Sequence, residues 1–138
     1  LPAEQVYVFD ACAVIALLDN EPGATAVEAL LEVEGGRCVA HVLNVCEVYY
    51  HIARRAGTER ADKLKDVLES YGFEIEDSLA TELWQKAAQI KADWRKVSLA
   101  DCFALALAIR EKGTLVTSDH HELDPLAKAG LCEVRFIR

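Results

Sequence analysis

Short, unbroken apolar segments alternate along this chain with longer segments of helical period, and that alternation admits few folds. Tyr7-Val8-Phe9 and Leu115-Val116 run apolar without a polar partner face, as strands buried on both sides do. Strands are predicted at 6–10, 37–42, 73–75, 114–117 and 133–137. Helices are predicted at 13–18, 25–34, 43–55, 58–71, 78–94, 98–112 and 121–129. Thr25 with Glu28 three residues on has capping-box spacing. Leu79, Leu83, Ala87 and Ile90 form one stripe, and 98–112 is apolar nearly all round, so that helix should be buried. Strands separated by helices imply an α/β fold, a three-layer α/β/α sandwich around a mostly parallel sheet of about five strands. At 138 residues the chain is one domain. The expected division is an N-terminal remnant or extension at 1–5 and a single domain at 6–138.

Composition excludes several classes. Hydrophobic residues make up 52% and charged residues 28%, which a disordered tail would not show. The longest apolar runs, 11–18 and 102–109, are far below the roughly 18 residues of a membrane span. Fifteen basic against 23 acidic residues give a net charge of −8, the wrong sign for an ordinary duplex-DNA binder. The five cysteines are odd in number and form no C-x-x-C pair, which disfavours a disulfide framework or zinc site and suits a reducing cytoplasm. Cys12, Cys46 and Cys102 are expected to be small core fillers.

In a parallel α/β sheet, sites form at the carboxyl ends of strands. Asp10 closes the first apolar strand and Asp119 follows the strand 114–117. Glu47 and Asp101 lie in the first turns of two apolar helices that enter from the same edge. Each acid has a local explanation. Asp10 would cap the next helix, Ser98-x-x-Asp101 and Asp119-x-x-Glu122 have capping-box spacing, and Asn44-x-x-Glu47 would act similarly. Capping accounts for each position separately but not for all four sharing one edge. Converging buried carboxylates need a cation, and hard oxygen donors suit Mg²⁺ or Mn²⁺.

At these residues the sequence resembles a PIN domain, the fold of many metal-dependent ribonucleases, and in particular the VapC-type toxins of toxin–antitoxin pairs. The matching pieces are Val8-Phe9-Asp10, Asn44-Val45-Cys46-Glu47, Ser98-Leu99-Ala100-Asp101 and Leu115-Val116-Thr117-Ser118-Asp119. The likeness runs from about Val6 to Ile137 and implies a PIN-like sandwich. It implies an endoribonuclease that cleaves RNA phosphodiester bonds with metal-activated water. Asp10 and Asp101 would be central Mg²⁺ or Mn²⁺ ligands, with Glu47 and Asp119 completing the set. Thr117, Ser118 and Glu122 would be auxiliary, and Arg54 or Arg55 would contact RNA. A homodimer and an antitoxin partner are implied as well. One departure stands out: the family often carries Ser or Thr just after the first Asp, and here Ala11-Cys12 stands there.

Two other functions are weighed. A phosphoacceptor or phosphatase domain also places an Asp after its first strand, but Asp10-Ala11-Cys12 lacks the D-x-D of one type, and the paired acids of another are missing. A non-catalytic PIN-like interaction module would show lost acids, and none is lost. His120-His121 reads as a polar loop and Trp84 and Trp94 as core or interface anchors.

Overall fold

The computed structural model describes residues 4–138, so the expectation for an N-terminal extension falls mostly on residues outside the described ones. Five strands form one sheet: β1 (Gln5–Phe9), β2 (Gly36–His41), β3 (Phe73–Glu76), β4 (Thr114–Thr117) and β5 (Glu133–Phe136). Their order is β3-β2-β1-β4-β5 and every pairing is parallel. Gln5 pairs with Gly36, so the first strand begins one residue before the predicted start.

Alternation along the central strands builds two cores. Val6, Val8, Val39 and Leu115 face α6 (Thr81–Asp93), α7 (Leu99–Arg110) and α8 (His120–Ala129). Tyr7, Phe9, Cys38 and Val116 face α1 (Ala11–Leu18), α2 (Ala24–Leu31), α3 (Val42–Ala56) and α5 (Leu64–Tyr71). The three-layer expectation therefore holds. Helix α7 is buried from Asp101 to Ala108, as its all-round apolar character requires. Gly113 lets β4 approach β1: a Cβ there would sit 2.3 Å from the Val6 carbonyl oxygen.

Several local expectations fail for tertiary reasons. The helix predicted at 58–71 breaks into α4 (Thr58–Ala61) and α5, and in the break Asp62 accepts the Tyr49 hydroxyl at 2.6 Å. Thr25 does not open its helix. Gly23, at φ +102°, occupies the cap position and starts α2 one residue earlier. The stripe of α6 buries Leu83, Ala87 and Ile90 but leaves Leu79 61% exposed. Ser78 N–H donates to Glu76 and the Ser78 hydroxyl accepts from Ala80 N–H, a local network that competes with helix.

The sheet order reverses at β1, whose neighbours β2 and β4 are reached by connections on opposite faces. A crevice opens at the carboxyl ends of strands at such a point. Asp10 follows β1 and Asp119 follows β4, at that crevice.

Candidate metal and catalytic site

The first acid is set by a strand that must end and a helix that must begin. Asp10 caps α1, its Oδ1 accepting from Ala13 N–H at 3.0 Å and from the Cys12 thiol at 3.1 Å. It is only 1% exposed, and its other oxygen, Oδ2, has no hydrogen-bond partner among the described residues. Capping thus engages one side of the carboxylate and leaves the other free.

Glu47 is not part of a capping pair. The cap of α3 is His41, whose Nδ1 accepts from Leu43 N–H at 3.1 Å. Asn44 is already inside the helix, and its side-chain amide donates to the Ala100 carbonyl at 3.2 Å, joining α3 to the start of α7. Glu47 Oε1 is buried without a partner, and the Tyr50 hydroxyl lies 3.5 Å from Oε2.

The two remaining capping boxes exchange partners. The Ser98 hydroxyl accepts from Asp101 N–H at 3.1 Å, but the Asp101 carboxylate does not take the Ser98 backbone N–H in return. Ser98 N–H donates instead to Glu122 Oε1 at 2.9 Å. On α8, Asp119 Oδ1 accepts from Glu122 N–H at 3.0 Å, while Asp119 N–H donates to the Thr117 hydroxyl at 3.0 Å. Glu122 therefore closes the box of the neighbouring helix, and the Asp101 carboxylate is not tied to the Ser98 N–H. One oxygen each from Asp101, Asp119 and Glu122 fall within 4.8 Å of one another.

All five acids line one cleft of about 310 Å³, with Cys12, Tyr50, His51 and Ser98 among its other walls and no Lys or Arg among the described lining residues. His51 is engaged by Asp19 at 3.0 Å rather than by Glu47. The electrostatic consequence is uniform. Burial raises the Asp10 carboxyl above its ordinary range, against the opposing pull of the nearby Thr117 hydroxyl, the Cys12 thiol and Ala13 N–H, and the Asp119 charge adds to the rise. Burial and then the charges of Asp10, Glu122 and Glu47 push Asp101 up to about 8. Glu47 is raised by burial and by Asp10, and Glu122 by burial and by Asp119.

A family model for the PIN domain matches residues 7–128. The chain belongs to the PIN-domain family. No curated protein sequence matches it significantly. Solved structures share its fold. The DNA-bound VapBC complex of Salmonella typhimurium superposes with a TM-score of 0.74 at 17% identity, covering 97% of this chain and 99% of that one. VapBC2 of Rickettsia felis, bound to a promoter DNA fragment, gives 0.72 at 16% identity, covering 96% and 98%. VapC20 of Mycobacterium tuberculosis, described as a toxin that cleaves the sarcin–ricin loop, gives 0.69 at 18% identity, covering 95% and 99%.

Within this PIN domain the acids singled out in the sequence share one cleft, while several of their neighbours differ from expectation. Cys12 is not a core filler but a wall of the cleft, touching Asp10, Thr117 and Ser118. Its position two residues after Asp10 was the available signal. Cys46 is exposed, while Cys102 is buried as expected. His120 opens α8 rather than lying in a loop, stacks on Phe136 at 3.9 Å and bonds to Asp124. Trp84 is 44% exposed and Trp94 packs against the core. Arg54 and Arg55 do not line the acidic cleft. Arg54 lies over the Tyr50 ring at 5.5 Å, and Arg55 sits in a neighbouring groove of about 640 Å³ with Arg60 and Lys63.

Proposed function

We propose that the chain is an endoribonuclease dependent on Mg²⁺ or Mn²⁺, the toxin of a toxin–antitoxin pair, acting in the cytoplasm. The observation that carries this reading is the pair of buried oxygens, Asp10 Oδ2 and Glu47 Oε1, left without a donor in a cleft of five acids. Buried carboxylates without a counter-charge are costly, and hard oxygen donors fit a divalent ion that keeps some of its waters. Asp10 and Asp101 would be its central ligands, with Glu47 and Asp119 completing the set directly or through water. When bound, the ion supplies water activation and neutralises charge on the scissile phosphate.

The chain's own residues prepare that chemistry. Ala13 N–H holds one oxygen of Asp10 and leaves the other available. Glu122, by occupying Ser98 N–H, keeps Asp101 out of a capping box. The Thr117 hydroxyl fixes the loop before Asp119 through the Asp119 N–H, with Ser118 between them. Asp101, with a carboxyl near 8, gives up a proton to become a ligand, so ion binding tightens as pH rises toward that value.

RNA as substrate draws on the PIN-domain membership and on the likeness to a toxin described as cleaving the sarcin–ricin loop. Arg55, with Arg60 and Lys63, would meet phosphates flanking the cut, and Arg54 would add a contact beside Tyr50. The antitoxin reading draws on the toxin–antitoxin complexes that share the fold. The half-exposed Tyr50, Val67 and Tyr71 on α3 and α5 offer apolar surface for a homodimer. A receiver-type phosphoacceptor would need a lysine at the cleft, and none lines it among the described residues.

Total RNA incubated with the protein in Mn²⁺ and in EDTA, with the cut ends mapped, tests this. The expected result is discrete cuts in Mn²⁺ alone. Cleavage unaffected by EDTA would remove the divalent ion from the reaction, and ends carrying 2′,3′-cyclic phosphate would mean that the ribose hydroxyl rather than an activated water attacks.

A further inference from the structure

We infer that Cys12 is a positioning residue for the carboxylate of Asp10, a reading that rests on the metal site proposed above. The thiol donates to Asp10 Oδ1 at 3.1 Å, its sulfur accepts from Ser118 N–H at 3.4 Å, and it lies 3.5 Å from the Thr117 hydroxyl. One side chain therefore bridges the start of α1 to the loop after β4, and a site acid stands at each end of the bridge.

The effect falls on Asp10. Its Oδ1 holds two donors, the thiol and Ala13 N–H, while its Oδ2 is buried and has none. Rotating the carboxylate would break both bonds and would turn the supported oxygen away. The thiol thus fixes which oxygen is offered to a cation. Residue 11 is Ala, which has no polar group to give this support. Sulfur's larger radius suits the bridge, since contacts of 3.1–3.5 Å to three partners suit sulfur better than oxygen. A thiol is a weak donor, so the expected contribution lies at the low end for groups that orient a metal ligand.

The test uses Cys12→Ser, Cys12→Ala and Cys12→Val, each checked for native melting. Mn²⁺ affinity is read from the electron paramagnetic resonance signal of the free ion, and kcat and KM for RNA are measured at saturating Mn²⁺. Serine keeps a donor, alanine keeps none, and valine keeps the volume without a donor. Alanine and valine should each weaken Mn²⁺ binding about 10-fold and lower kcat with KM for RNA unchanged, while serine should stay within about 3-fold of wild type. A valine variant that binds Mn²⁺ like wild type would reduce Cys12 to a space filler. A serine variant as weak as alanine would show that donation is not what matters. Wild-type protein that binds no Mn²⁺ overturns the metal site itself, a failure seen before any variant is compared.

Discussion

Two margins of the same sheet treat their acids in opposite ways. Beside β2 and β3, Glu74 receives two 2.9 Å bonds from the Arg37 guanidinium, and Glu76 meets Arg110 at 3.4 Å. Arg37 holds the Glu74 carboxyl below its ordinary range. At the carboxyl edge of β1 and β4, five acids meet without a Lys or Arg among the described lining residues, and burial raises Asp10, Glu47 and Asp101. The first margin spends its acids on folding. The second accepts a destabilising charge cluster, the usual signature of a functional site.

The largest effect that sharpens this contrast is on activity. Asp10→Asn, Glu47→Gln and Asp101→Asn should each lower RNA cleavage at least about 100-fold with the fold intact, and double changes should cost little more. Circular dichroism with a cleavage assay checks both halves. A folded Asp101→Asn protein cutting at wild-type rate would break the contrast.

Next is the pH dependence of metal-free stability. Folded Asp101 keeps its proton up to about 8, whereas the unfolded chain releases it near 3.8. Between these values the unfolded chain gains, so stability falls as pH rises. Discounting for relaxation and screening to about 1–2 kcal/mol, melting in EDTA should be at least about 4 °C higher at pH 5.5 than at pH 8. Glu74 has the opposite sign: its contribution is present above 4.5 and is lost as pH falls through its lower folded value. A melting temperature that is flat or rises from pH 5.5 to 8 would mean that the fold does not hold Asp101 protonated, since the Glu74 contribution is already complete above 4.5.

A smaller change follows from placing a cation at the edge. Tyr50 is 48% exposed and lies beside Glu47. Tyr50→Lys should raise the metal-free melting temperature by about 2 °C and weaken Mn²⁺ binding several-fold, as titration by fluorescence would report. The smallest effect belongs to the other margin. Arg37→Ala should cost less than about 1 kcal/mol in urea unfolding, because the Arg37–Glu74 pair is solvent-exposed.

The strands and the order of the acids were legible because both are written in local pattern. Val6 to Phe9 and Leu115-Val116 are apolar without break, Asp10 and Asp119 follow strands, and Asp101 lies in the first turn of α7. Glu47, expected in a first turn, lies in the second turn of α3 because that helix already starts at Val42. Which carboxylate is free was not legible. Ser98-x-x-Asp101 and Asp119-x-x-Glu122 have identical spacing, and only the approach of two helices reveals that Glu122 crosses over to Ser98. The break between α4 and α5 was hidden for a similar reason, since Tyr49 reaches Asp62 from another helix. Cys12 looked like a core residue because its neighbours in sequence are apolar, while its partners Thr117 and Ser118 lie more than 100 positions away.

The most direct test of the edge as a metal site is a set of four melting curves, wild type and Asp101→Asn, each in EDTA and in Mn²⁺. At pH 7 asparagine is neutral without taking up the proton that folding forces on Asp101, so the variant should melt higher in EDTA, and losing a ligand should shrink the upward shift that Mn²⁺ produces by mass action. If Asp101 instead serves α7 as a helix-start charge, the variant will melt lower in EDTA and keep the full Mn²⁺ shift, and the metal site is misplaced.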